Sequence, residues 1–133
     1  MKILAKELKH GSIKVQVDTL DDLWYLSALI EEKDRVEGVT ERKIKLDAGS
    51  DRDQKVIRKT VFLEIGVEKV EFHKYANILR VSGKIINGPE DVPRGTYHTF
   101  NVEEGSTFRI KKEQWLTYQL KKLKKQQKQS RQK

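Results

Sequence analysis

Apolar and polar residues alternate over most of the chain. Ile13, Val15 and Val17 alternate with Lys14 and Gln16, the period-2 pattern of a strand with one buried face. With the turn Lys9-His10-Gly11-Ser12, this predicts a β-hairpin over 2–17, Gly11 supplying the positive φ. The period then changes. Leu20, Leu23, Trp24 and Ser27 to Ile30 recur at helical spacing, Thr19 is placed to cap, and Asp22 completes a capping box. The expected helix ends near Glu32.

From Arg35 the pattern returns to strand. Val36, Thr40, Ile44 and Leu46 mark one long extended run, and Val61, Leu63, Ile65 and Val67 a second that begins near Arg58. Residues 47–56 between them have turn chemistry and read as an exposed loop. The apolar parity flips after Val67 to Val70 and Phe72, so one extra residue near Glu68-Lys69 predicts a bulge or bend. Tyr75-Ala76-Asn77 reads as a turn. Leu79, Val81 and Ile85 form the next strand, where Gly83 permits a close backbone approach. A loop over 87–95 and strands at 96–102 and 107–111 follow. A last helix is expected from Lys112, with Leu116, Leu120 and Leu123 on one face, and disorder beyond Leu123. Bent antiparallel strands without a βαβ rhythm predict a mainly β (α+β) fold: a small, strongly bent antiparallel barrel with one early helix and a C-terminal helix.

Charge changes this picture once it is located. The 133 residues carry 28 Lys plus Arg and 20 Asp plus Glu, a net of +8. Residues 111–133 alone carry +8, so the first 110 sum to zero. Within that neutral body, residues 18–34 carry −5 and residues 42–59 carry +4. The longest apolar run, Leu23–Ile30, is too short for a bilayer-spanning helix. MKILAKELKHGS contains no signal-peptide core, so a cytoplasmic location is expected.

Candidate chemistry is sparse. The chain has no cysteine, which excludes disulfides and thiolate chemistry, and His10, His73 and His98 stand apart from any ligand spacing. No phosphate-cradling glycine motif occurs. No metal or cofactor is therefore expected. Asp21 and Asp22 could hold a divalent ion for phosphodiester cleavage, but neighbours on a helix diverge by about 100° and acids in a first turn favour the helix dipole. The better candidates are Arg42, Lys43, Lys45, Arg52, Lys55, Arg58 and Lys59, with Ser50 and Gly49 giving the loop freedom to fit an RNA surface. The basic helix at 112–125 could contact phosphates or simply be solvated. Trp24, Phe62, Phe72, Phe100, Phe108 and Trp115 fall in apolar phase and are expected in the core, whereas Tyr25 and Tyr97 fall out of phase as possible stacking platforms.

Six segments, in order, carry a family resemblance. Asp22-Leu23-Trp24-Tyr25-Leu26 with Leu29-Ile30 resembles the DLW-x-L helix of the Pelota family. Asp34-Arg35-Val36 leading to Thr40-Glu41-Arg42-Lys43-Ile44, Val67 to Phe72, and Ile78 to Ile85 resemble its strands. Gly95-Thr96-Tyr97-His98-Thr99-Phe100 and Lys112-Glu113-Gln114-Trp115 resemble its G-x-Y-H-T and K-x-x-W segments. The resemblance covers nearly all of residues 1–120. It implies a Sm-like N-terminal domain over 1–111 and a basic connector over 112–133, the first part of a three-domain protein.

By the same resemblance, the protein would rescue stalled ribosomes and open the way to no-go mRNA decay. Its partners would be the stalled ribosome (rRNA and mRNA channel), an elongation-factor-1A-type translational GTPase and a recycling ATPase. The 47–55 loop would enter the decoding region of the A site. The peptide-hydrolysing G-G-Q motif of release factors does not occur in the chain. Two alternatives stand beside a non-catalytic ribosome-binding domain. One is a metal-dependent RNA endonuclease using Asp21 and Asp22, an activity proposed for the family. The other is a generic Sm-like adaptor, for which a hexameric or heptameric ring would speak; a monomer is expected.

Overall fold

The structure, a computed structural model, describes residues 1–46 and 55–131. Seven strands form one antiparallel sheet: β1 (Lys2–Glu7), β2 (Ser12–Gln16), β3 (Arg35–Leu46), β4 (Lys55–His73), β5 (Ile78–Asn87), β6 (Tyr97–Val102) and β7 (Thr107–Lys111). Two helices accompany them, α1 (Leu20–Leu29) and α2 (Thr117–Arg131). The order across the sheet is β1-β2-β7-β3-β4-β5-β6. The chain therefore has the α+β class expected of it. The sheet curls strongly without closing: among the described residues, edge strands β1 and β6 pair with one neighbour each.

The core lies inside the curl. Val15, Val36, Leu63, Ile65, Val81 and Ile110 fill it from the strands, and Leu23, Leu26 and Leu29 cover one side from α1. The helix begins where its cap dictates. The Thr19 hydroxyl accepts from the Asp22 N–H at 3.3 Å while the Asp22 carboxylate accepts from the Thr19 N–H at 3.0 Å. It stops three residues before Glu32, because Ile30 is already extended and Lys33 takes a φ of 78°.

Two strand details follow the sequence closely. Val67 pairs with Gly83 and Lys69 with Ser82, so Glu68 is the extra residue that turns the parity. A Cβ at Gly83 would lie 1.8 Å from the Gly66 carbonyl oxygen, so only glycine lets β4 and β5 cross this closely.

The C-terminal segment departs from expectation. Lys112–Leu116 is not helical. The Lys112 ammonium is buried against Asp34 at 2.5 Å and Glu31 at 3.2 Å, and the Trp115 indole N–H donates to the Gly11 carbonyl at 2.7 Å. These ties hold the chain along the body for one more turn before α2 starts. The helix then continues past Leu123 to Arg131, where disorder was expected; Gln132 and Lys133 lie outside the described residues. Leu116 is exposed, and the buried stripe is Gln119, Leu123 and Gln126. Gln126 donates to Asp22 at 2.8 Å and Asp21 at 2.9 Å, and Gln119 donates to Glu31 at 3.2 Å. Glutamines that bridge to carboxylates on and just after α1 do the work that an apolar stripe would have signalled.

Candidate nucleic-acid interface

β3 and β4 pair without interruption from Arg35↔Gly66 to Leu46↔Lys55. The inner end of this ribbon is core. Its outer end leaves the body: residues 56–60 are exposed on both faces. The 47–56 loop is therefore shorter than expected, since Lys55 and Val56 are already strand, and residues 47–54, with Ser50 and Arg52, lie outside the described residues. The side chains of Lys45 and Lys55, at the ribbon's far end, also lie outside the described residues.

Register decides what the remaining cations can do. Arg42 stands opposite Lys59 and Lys43 opposite Arg58, two like-charge pairs on opposite faces of the ribbon. The first pair is tied to the body. Arg42 donates to the Tyr97 carbonyl at 3.0 Å, to Thr96 Oγ1 at 3.3 Å and to His98 Nδ1 at 3.2 Å. Lys59 meets Asp91 at 2.8 Å, and this bond holds the Asp91 carboxyl below its ordinary range. The second pair is open. Lys43 is exposed and makes no ion pair among the described residues, and Arg58 has only Glu41 at 3.9 Å.

Arg42 is thus a root for the ribbon rather than a free phosphate ligand. Beside it, Thr40 Oγ1 bonds His98 Nε2 at 2.9 Å. Burial, then the neighbouring Arg42 charge, pushes the His98 imidazole down to about 4, so it stays neutral and can accept from Arg42 through Nδ1. Sequence reasoning missed this joint of Thr40, Arg42 and His98, because nothing local to β3 shows that β6 folds back across it. The G-x-Y-H-T segment was the only signal, and its Tyr97 and His98 serve the joint.

The carboxylates of α1 have structural occupations. Asp22 is fully buried, closes the capping box, accepts from Gln126 and pairs with the Met1 amino group at 2.8 Å. Asp21 accepts from Gln126. Among the described residues no cluster of three potential metal ligands forms. The aromatics also sort differently from expectation. Phe100 and Phe108 are core, but Trp24 is exposed and stacks on Phe72 at 4.5 Å, and Phe62 is exposed. Tyr97 is exposed as its phase suggested. Tyr25 is not, since its hydroxyl is buried and burial pushes it up to about 12.

Residues 1–127 match the model of the Pelota N-terminal domain. The chain belongs to the Pelota family. Pelota homologues of Pyrococcus horikoshii and Methanothermobacter thermautotrophicus are 46% and 43% identical over 125 residues. Each alignment spans about nine-tenths of this chain but 35% of the relative, so the chain covers about a third of the Pelota proteins it matches. Among solved structures, ribosome-bound archaeal Pelota, described together with ABCE1, is 43% identical with a TM-score of 0.79, covering 94% of this chain and 35% of that one. Archaeoglobus fulgidus Pelota gives 38% and 0.67, over 94% and 32%. Saccharomyces cerevisiae Dom34, described as interacting with Hbs1, shares the fold at 19% identity and a TM-score of 0.71, over 93% and 33%. Among the described residues no helix of this Pelota domain is long and apolar enough to cross a membrane.

Proposed function

We propose that this domain is the ribosome-engaging module of a cytoplasmic rescue factor, and that the β3–β4 ribbon probes the A site and decoding region of stalled ribosomes in no-go mRNA decay and recycling. One observation carries the reading: a ribbon of paired strands leaves the body, is rooted by Arg42, and holds Lys43 and Arg58 side by side, barely neutralised. Directly opposed like charges cost stability, and an RNA surface supplies the compensation. Contacts of this kind go to phosphates and position the domain without reading sequence, as a factor acting without a codon requires. Lys45, Ser50, Arg52 and Lys55 would contribute to binding the same RNA.

The domain acts as a monomer and without catalysis of its own. A recycling ATPase and a translational GTPase would engage through the full-length protein, consistent with ABCE1 and Hbs1 beside the related structures. Asp21 and Asp22 give the endonuclease alternative no support, since their oxygens already serve the capping box and Gln126.

The test is co-sedimentation of full-length Lys43→Glu/Arg58→Glu protein with stalled ribosomes over a salt series. Binding should weaken by about ten-fold near physiological salt, with a shallower salt dependence than the parent. Unchanged binding would overturn the assignment of the ribbon.

A further inference from the structure

A second surface lies on the outer face of the sheet, away from the ribbon tip. β2, β7, β3 and β4 are consecutive there. The pairings Lys14↔Arg109, Glu37↔Arg109 and Glu37↔Glu64 set their outward residues in rows across the face. At the end of the face Val39 stands opposite Phe62, and both are open to solvent, 66% and 53% exposed. Two adjoining cavities, of about 700 and 320 Å³, open on either side of Phe62, and Lys14, Glu37 and Arg109 line both.

The charges around this aromatic favour an anion. Glu37 and Glu64 are held by Lys111, at 2.8 Å each, and Arg109 leans on Glu7 and Glu37 at 3.8 and 3.7 Å. Lys14 and Arg35 form no salt bridge among the described residues, although the Arg35 charge helps hold the Glu64 carboxyl down. Beside Arg35, at Gly66, a Cβ would meet nothing within 4 Å, so the face is bare where a chain could lie close. A sheet surface with an exposed ring and surplus cations matches the physics of single-stranded nucleic-acid binding: a base stacks on the ring while phosphates take the cations. Val39 supplies the apolar edge of the same step.

We propose that this outer face binds a short segment of single-stranded RNA, one base stacked on Phe62 against Val39, with adjoining phosphates on Lys14 and Arg35. The site lies at the inner part of the β3–β4 ladder, apart from Lys43 and Arg58, and stands without the ribosomal role.

It can be tested by fluorescence anisotropy of a labelled oligouridylate with the 133-residue chain. Phe62→Ala should weaken binding by about ten-fold, Phe62→Tyr should retain it, and Lys14→Glu should flatten the salt dependence. Phe62 is half exposed, so these variants should melt as the parent does. Binding of an RNA duplex, whose bases are already stacked, should not respond to Phe62→Ala. The same Phe62→Ala loss should persist when added to Lys43→Glu/Arg58→Glu, which separates this surface from the ribbon. Equal binding by parent and Phe62→Ala overturns the proposal, as does a loss caused by the ribbon substitutions alone. A photo-crosslinker at position 62 of full-length protein on ribosomes should trap RNA; trapping of protein only would assign the face to a protein partner instead.

Discussion

Lys111 and Arg58 are both strand cations beside glutamates, yet their surroundings give them opposite tasks. Lys111 sits between Glu37 and Glu64, which the register sets directly opposite each other, and meets both at 2.8 Å. Glu64 is 2% exposed and takes a further bond from Asn87 at 2.6 Å. Burial pushes the Glu64 carboxyl up, but the bonds from Lys111 and Asn87 outweigh it and hold the group below its ordinary range. Arg58 and Glu41 are 70% and 67% exposed and 3.9 Å apart. In the body, charge satisfies charge and fixes register. On the ribbon, charge remains available to a partner. A count of Lys and Arg along the chain cannot separate the two.

Breaking the body network should have the largest effect. Lys111→Met leaves two opposed carboxylates, one buried, and should cost about 3 kcal/mol in urea denaturation. In the parent, stability from Glu64 is present above the ordinary carboxylate range and is lost as pH falls through its lowered pKa; Lys111→Met should remove that acid slope. A variant as stable as the parent would mean that the network is incidental.

The ribbon root comes next. His98, at about 4 when folded against 6.5, binds protons more readily when unfolded. Its contribution is therefore complete above pH 6.5 and declines as pH falls towards 4, where the folded imidazole also protonates. His98→Gln should flatten the stability profile across that window in melts at successive pH values. An unchanged profile would show that the buried imidazole is not the titrating group.

The ribbon itself should be nearly silent in stability. Lys43→Glu should shift unfolding by less than about 1 kcal/mol, upward if it relieves the clash with Arg58. The smallest effect is expected for Glu41→Gln, below about 0.5 kcal/mol, since exposed ion pairs at this distance contribute little. Ribosome binding should nevertheless tighten slightly, because Arg58 loses its one carboxylate partner among the described residues. A large stability loss at either position would erase the contrast between ribbon and body.

The same contrast explains what could be read from the sequence. Strand periods, the Thr19–Asp22 cap, the bulge at Glu68 and the close approach at Gly83 are local matters, and local patterns carry them. The open pair Lys43 and Arg58 was visible as a basic cluster. Its division from Arg42 and Lys59 was not, because that depends on register and on β6 returning across β3. Phe62 falls in apolar phase with its neighbours, but β4 changes from core to free ribbon near this point, and phase cannot show where a core ends. Gln119 and Gln126 carry no apolar signal, because their carboxylate partners Glu31 and Asp21 lie about 90 and 105 residues away in the chain.

Asp22 carries a consequence in time as well as space. Its carboxylate gathers donors from Asp18, Thr19 and Met1 near the start of the chain and from Gln126 near the other end. During synthesis the early donors emerge together, but the last arrives more than 100 residues later. Until α2 docks, the Gln126 contact with α1 cannot form. The seal between α1 and α2 can therefore close only after Gln126 has emerged, although the cap that receives it is among the first structures that can form.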